Sequence, residues 1–280
     1  MRKLYVFIFI AIFLIMSSCS ANGYDVIYIH SDEFETLAEE NFKYNMEKLL
    51  DNFKVLNIPN DEEFIEYFNK LSNEQKNNKN IFIVSEKFSN VDISDKIDKV
   101  IYINNKFNMD INNLLIDQKP VSYLLGIISG LVTRRNSIFI LYSEDYVDHR
   151  EIIDAFITGV REVNLRAYDS LSSLENVKCI TLDNKEEIQE IINSESDIVF
   201  NLSKEDIIVD DKFLFDLNMD NISENLVSIL YDYGSFINIL ESGKIATYSI
   251  GIHDESIKFN LTNLPEEVVN IFNKYLNNIN

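Results

Sequence analysis

The sequence predicts an α/β protein whose parallel sheets are divided between two lobes. Short runs rich in β-branched residues alternate with longer amphipathic runs along most of the chain. The short runs are apolar on both faces, the pattern of strands covered by helices on each side. Their number, in a chain that is 46% hydrophobic with only 7 Gly and 3 Pro, fits two such layered units with little flexible linker.

Asp25 to His30 reads as a buried strand. Leu37 to Phe53 reads as a helix, with Leu37, Phe42, Met46, Leu49, Leu50 and Phe53 near helical spacing. Asn80 to Val84 and Lys99 to Ile103 are strands. Pro120 suits a first helical turn, and Val121 to Val132 continues as an apolar helix. Its Gly126 and Gly130, four apart on one face, invite a neighbour to pack closely. Ser137 to Tyr142 is a strand, followed by a helix from about Asp148 to Asn164. Val177 to Leu182, Glu186 to Ile192, Asp197 to Asn201 and Phe213 to Leu217 read as strand, helix, strand and strand. Asn225 to Glu241 is a helix with Gly243 placed to cap it. Tyr248 to Ile252 and Ile257 to Leu261 suggest a hairpin, after which Pro265 opens a terminal helix.

The N-terminus carries export signals. Arg2 and Lys3 precede an uninterrupted apolar run from Leu4 to Met16, which is too short to span a membrane. Met16-Ser17-Ser18-Cys19 then has the form of a lipobox, with small residues before a cysteine whose thiol accepts the lipid. The expectation is a signal peptide over 1–18, lipidation at Cys19, a tether over 19–24, and work on the exported side of a cell membrane or outer membrane. An ordinary secretory signal or an uncleaved anchor are the alternatives. If Cys19 is lipidated, Cys179 is the one cysteine left, so no intramolecular disulfide forms. Cys179 sits in an apolar strand-like run and is expected to be a small core residue.

The formal net charge is −21, and removing a signal that holds Arg2 and Lys3 but no acidic residue makes it −23. Such a chain repels nucleic acid and anionic headgroups, so acyl chains must supply any membrane attachment. His30, His149 and His253 are far apart, and none has a second ligand at metal-site spacing, so no metal is expected. No phosphate loop, dinucleotide fingerprint or nucleophile elbow is present, so neither a cofactor nor an enzymatic activity is expected. Arg134 and Arg135 read as the cationic end of a helix.

The segment from Val121 to Thr133, the strand Ile138 to Tyr142 and the helix Asp154 to Asn164 together resemble a block of the basic membrane protein family. That family of lipoproteins includes purine-nucleoside receptors. Asn80 to Asn105, Asn225 to Lys244 and Leu264-Pro265-Glu266-Glu267-Val268 resemble further parts of it. The resemblance implies a type I periplasmic-binding-protein-like fold, with two Rossmann-like lobes clamping a ligand, and service as the solute receptor of an ABC importer. It implies a first lobe over 25–115, to which about 225–250 returns, and a second over 116–224. A hairpin and helix over 251–280 would lie at the hinge and second lobe. The lobes would divide near Asn112 to Gln118, with later crossings around Asn221 to Asn225 and near Gly251. It also implies a ligand-binding set. Phe34 would stack on a base, Asp32 and Asn104 would contact polar edges, and Asp216 would hold sugar hydroxyls. Several family positions differ here: the first loop reads His30 to Glu35, a glycine-rich turn is replaced by Leu202 to Glu205, and a helix lysine becomes Tyr231. These differences leave open a second class, a surface interaction lipoprotein that keeps the bilobed fold without transport.

Overall fold

The computed structural model describes residues 25–74, 80–91, 93, 97, 99–104, 112–181, 183–203, 205, 207, 209, 212–217, 226–243 and 245–279. The signal segment, Cys19 and the expected crossing at Asn221 to Asn225 lie outside these residues. Among the described residues no helix is long and apolar enough to cross a membrane.

Six parallel strands form the first sheet. In chain order they are β1 (Asp25–His30), β2 (Phe53–Asn57), β3 (Asn80–Val84), β4 (Val100–Ile103), β5 (Asn113–Ile116) and, much later, β11 (Tyr248–Ile250). Their spatial order is β11-β5-β4-β3-β1-β2. Four further parallel strands form a separate sheet in the order β7-β6-β8-β9. These are β6 (Ile138–Tyr142), β7 (Val177–Cys179), β8 (Ile198–Leu202) and β9 (Phe213–Asp216). A two-stranded antiparallel ribbon pairs β10 (Ser228–Tyr231) with β12 (Ile257–Asn260).

Both faces of each sheet are covered, which is why its central strands lack alternation. Ile81, Ile83, Ile101 and Ile103 point into one core with α1 (Leu37–Leu49) and α7 (Gly234–Glu241), where Phe42 meets Phe236 edge to face. Phe82 and Tyr102 point the other way, under α2 (Asp61–Glu74), where Phe64 stacks on Phe88 at 4.3 Å. In the second lobe α3 (Lys119–Val132), α4 (His149–Val163) and α5 (Leu165–Ser172) lie on one face, and α6 (Lys185–Glu195) lies on the other over Phe139, Leu141 and Val199. The terminal helix α8 (Glu266–Ile279) rests on α3, with Tyr275 against Tyr123. The larger core runs through both lobes, from Val26 and Ile83 to Val121, Ile140 and Phe200.

The paired glycines do what their spacing suggests. A Cβ on Gly126 would stand 2.1 Å from the Phe156 carbonyl oxygen, and one on Gly159 would stand 2.1 Å from that of Tyr123. The backbones of α3 and α4 therefore touch. Gly243 takes φ 65 after α7, its N–H returning to the Leu240 carbonyl.

Several expected elements differ. The helix from Leu37 stops at Leu49, because Leu50 is extended and Phe53 starts a strand that pairs with β1. Phe53 fits the helical stripe and the strand equally well, so spacing alone could not separate them. Residues 225–241 are not one helix. Ser228 to Tyr231 pair with β12, and the helix starts only at Gly234, whose N–H is held by the Asp232 carboxylate. The expected hairpin is absent too: β11 joins β5 in the parallel sheet, whereas β12 pairs with β10. The short link resembled a hairpin loop, but it carries the chain from the large sheet to the ribbon. The Asp254 carboxylate shapes that link by accepting from the N–H groups of Gly251 and Ser256.

Candidate functional site

Each parallel sheet has a switch point, where successive strands are added on opposite sides of a first strand and a crevice opens at their carboxyl ends. In the first lobe it lies between β1 and β3, and in the second between β6 and β8. The loops leaving β1 and β6 touch. Glu35 and Tyr146 form a parallel bridge, Val147 N–H donates to the Glu35 carbonyl at 3.1 Å, and the Tyr146 hydroxyl donates to Glu40. Asp148 accepts from the Leu37 N–H at 3.0 Å, so a carboxylate of the second lobe supports the positive end of α1 in the first. The two carboxyl-end crevices thus face a common cleft.

The residues expected at the ligand occupy different local settings. Asp32 and Phe34 occupy one turn after β1, where Phe34 N–H donates to the Ser31 carbonyl. Asp32 is exposed and exchanges hydrogen bonds with Asn57 at the rim. Asn104 ends β4 with φ 50, and its carboxamide oxygen accepts the Ile116 N–H at 2.8 Å, which bridges β4 to β5. Asp216 ends β9 opposite Asn201. Burial raises the Tyr146 phenol well above its ordinary range, with Glu40, Glu35 and Asp216 adding to the effect. Burial likewise raises Tyr231, at the end of β10; the nearby Gln118 carboxamide opposes the rise and Asp216 adds to it. Asp216 thus contributes to the electrostatic surroundings of Tyr146 and Tyr231, while Asp32 and Phe34 share the β1 turn and Asn104 ties two strands together.

Sequence reasoning missed several buried polar groups. Glu39, in the first turn of α1, is fully buried, with one carboxylate oxygen accepting from Glu86 N–H at 2.7 Å and the other from Thr36 N–H at 3.3 Å. Thr36 and Glu39 form a capping box, and the Thr-x-x-Glu spacing before α1 was a readable signal for it. Burial, the largest influence, pushes the Glu39 carboxyl from 4.5 up to about 7 against its hydrogen bonds. Gln118 and Tyr231 gave no comparable signal, since their burial arises where the chain passes between sheets.

A second crevice of about 340 Å³ opens on the second lobe, lined by residues that include Ser143, Asp145, Cys179, Thr181 and Ser203. Cys179 is half-buried in its wall rather than in the core, because β7 ends there. Burial chiefly raises its thiol pKa, and Glu144 and Asp145 contribute, so it stays protonated and weakly nucleophilic. His30 is buried and stacked on Tyr28 at 5.4 Å. Among the described residues no group of three His, Cys, Asp or Glu could hold a metal ion.

No protein-family profile and no curated protein matches the chain. Among solved structures it is similar to a transcriptional activator of the comK gene from Bacillus halodurans, at 14% identity and a TM-score of 0.55, over 91% of this chain and 96% of that one. It is also similar to an ABC transporter solute-binding protein from Aeropyrum pernix K1, at 10% identity and a TM-score of 0.50, over 90% and 86% of the two chains. Neither is described as an enzyme. With the strand orders above, these similarities identify the fold as α/β, with parallel sheets in two lobes of the type I periplasmic-binding-protein-like kind.

Proposed function

We propose that this chain is a solute-binding lipoprotein of an ABC importer, anchored through Cys19 on the exported side of its membrane. It would close its lobes on a small polar ligand of the nucleoside class. The observation that carries this reading is the contact between the loops leaving β1 and β6 at the carboxyl ends of the two sheets, with Asp216 at the carboxyl end of β9 contributing to the electrostatic surroundings of Tyr146 and Tyr231. An acceptor-only charge at the carboxyl end of a parallel strand suits a ligand rich in hydroxyl donors. Phe34 in the β1 turn offers an aromatic face for a planar ring. The similarity to an ABC solute-binding protein and the family-like block from Val121 to Asn164 support the same reading. A thermal-shift panel of nucleosides and pentoses tests it, because a ligand that binds only the folded state raises Tm by mass action. At millimolar concentration at least one nucleoside is expected to raise Tm, and no shift with any compound removes the ligand reading.

The second reading, a surface interaction lipoprotein with fixed lobes and no transport, has its own observation. The lobes hydrogen-bond directly through Glu35, Glu40, Tyr146 and Asp148. Small-angle scattering separates the two, since a receptor changes its interlobe dimensions with solute and a fixed scaffold does not.

A further inference from the structure

Leu49 falls in the apolar stripe read from the sequence, yet it is 52% exposed in the last turn of α1. It belongs to a small surface at the amino end of the first sheet. The loop after α1 runs beside the start of β1, where Val26 N–H donates to the Asn52 carbonyl at 3.2 Å and Lys54 pairs with Asp25 at 2.7 Å. Tyr44, also exposed, carries the Lys48 ammonium 3.7 Å from its ring centroid. Glu47 and Asp51 are exposed on the same stretch. Lysines and carboxylates therefore nearly balance there, in a chain whose formal net charge is −21.

What covers this surface follows from the length of chain ahead of β1. Five residues, Ser20 to Tyr24, separate Asp25 from Cys19. An extended chain spans at most about 3.6 Å per residue, so an acyl anchor on Cys19 keeps Asp25 within about 20 Å of the bilayer. The strands of the first sheet are parallel, so their amino ends share the end where Asp25 lies, and the Glu35–Tyr146 bridge between lobes lies beyond the other end. So short a tether holds the amino end at high effective concentration beside lipid, where even a weak contact is populated. An aliphatic side chain beside a tyrosine and lysines suits the boundary between headgroups and acyl chains. A second copy of the chain is the poorer occupant, because both copies carry the same large negative charge. We propose that the amino end of the first lobe, with Leu49, Tyr44 and Lys48, is a membrane-contact surface that rests on a zwitterionic bilayer and directs the second lobe outward. This rests on the anchoring at Cys19 proposed above and is independent of any solute.

The test uses the full-length protein, purified from membranes and reconstituted on the outside of phosphatidylcholine vesicles. Cys179→Ser removes the native thiol, and Leu49→Cys or Leu174→Cys then supplies one site for a nitroxide. Leu174 is the reference, because it is 60% exposed and lies just before β7, at the amino end of the second sheet. Flotation first shows whether the protein travels with the vesicles. Paramagnetic resonance then compares the access of oxygen, which concentrates in hydrocarbon, with that of a water-soluble nickel chelate. At the Leu49 site the oxygen-to-nickel ratio is expected to exceed that at the Leu174 site by about threefold or more, as for a side chain buried at the acyl boundary. Equal ratios at the two sites in protein that floats overturn the proposal while the anchoring stands. Dipolar broadening between nitroxides at the Leu49 site, with no gain in oxygen access, also overturns it by showing a second copy on this surface. Failure of the protein to float overturns the anchoring and the proposal together.

Discussion

Glu39 illustrates how a single buried carboxyl can serve a local and a long-range role. Its backbone N–H and side chain close the capping box of α1, while its other oxygen ties that helix to the end of β3. Tyr28 and Glu35 lie within electrostatic reach of this region, and burial, then Glu39 and Glu35, drive the Tyr28 phenol well above its ordinary value. A carboxyl raised from 4.5 to about 7 is proton-loaded in the folded state and ionised in the unfolded chain between those values. Its stabilising contribution is therefore full below about pH 4.5 and lost as pH rises through about 7. That loss amounts to as much as about 3 kcal/mol. Glu39→Gln should not show it, so the stability of the variant relative to wild type should climb by up to that amount between pH 4.5 and 8 in urea titrations. A difference independent of pH would show that Glu39 is not protonated in the fold. At this scale the sequence was readable where a residue type implies its own chemistry. Phe34 and Asp32 could be assigned to one loop after β1, and Asp216 to a strand end. Gln118 and Tyr231 were silent, because being buried and unpaired is a property of where two crossings meet and not of a residue's neighbours in sequence.

Between elements, the contact of α3 with α4 is the tightest constraint. Because Gly126 and Gly159 face each other's helix backbones, there is no flexible side-chain end to yield. Gly159→Ala should destabilise the protein by about 3 kcal/mol or more, at the upper end of overpacking costs. Chemical denaturation measures this, and a loss below 1 kcal/mol would mean that the helices can slide apart cheaply. The interlobe contact is softer. Asp148→Ala removes a hydrogen bond to the first turn of α1 and should cost about 1 kcal/mol, the usual worth of such a cap. It should also increase the radius of gyration in scattering, and an unchanged radius would place the lobe contact elsewhere. Element type was legible where periodicity was unambiguous, as in β1, β3 and α3. It failed where pairing decided. Phe53 fits a helix face until β1 takes it as an edge strand, and Tyr248 and Ile257 look like partners until β5 and β10 claim them separately.

For the whole molecule, two doubly wound sheets with separate strand orders share one continuous core. Alternation of strand and helix made that plan legible in advance, because parallel sheets need long crossover connections. The returning β11 was not legible, since a three-residue strand carries almost no periodic signal. Membrane attachment belongs to this scale as well. Cys19→Ala should release the protein from the membrane fraction or leave an unprocessed precursor, and a variant that is processed and retained as before would rule out the lipobox. The central claim, that the cleft holds a small polar solute through Asp216, is tested most directly by titration calorimetry of the detergent-purified protein against a nucleoside panel. Wild type should give a saturable heat with at least one nucleoside. Phe34→Ala and Asp216→Ala should each weaken it at least tenfold. No heat from any nucleoside at millimolar concentration would contradict the claim, and undiminished binding by Asp216→Ala would contradict the role given to that carboxylate.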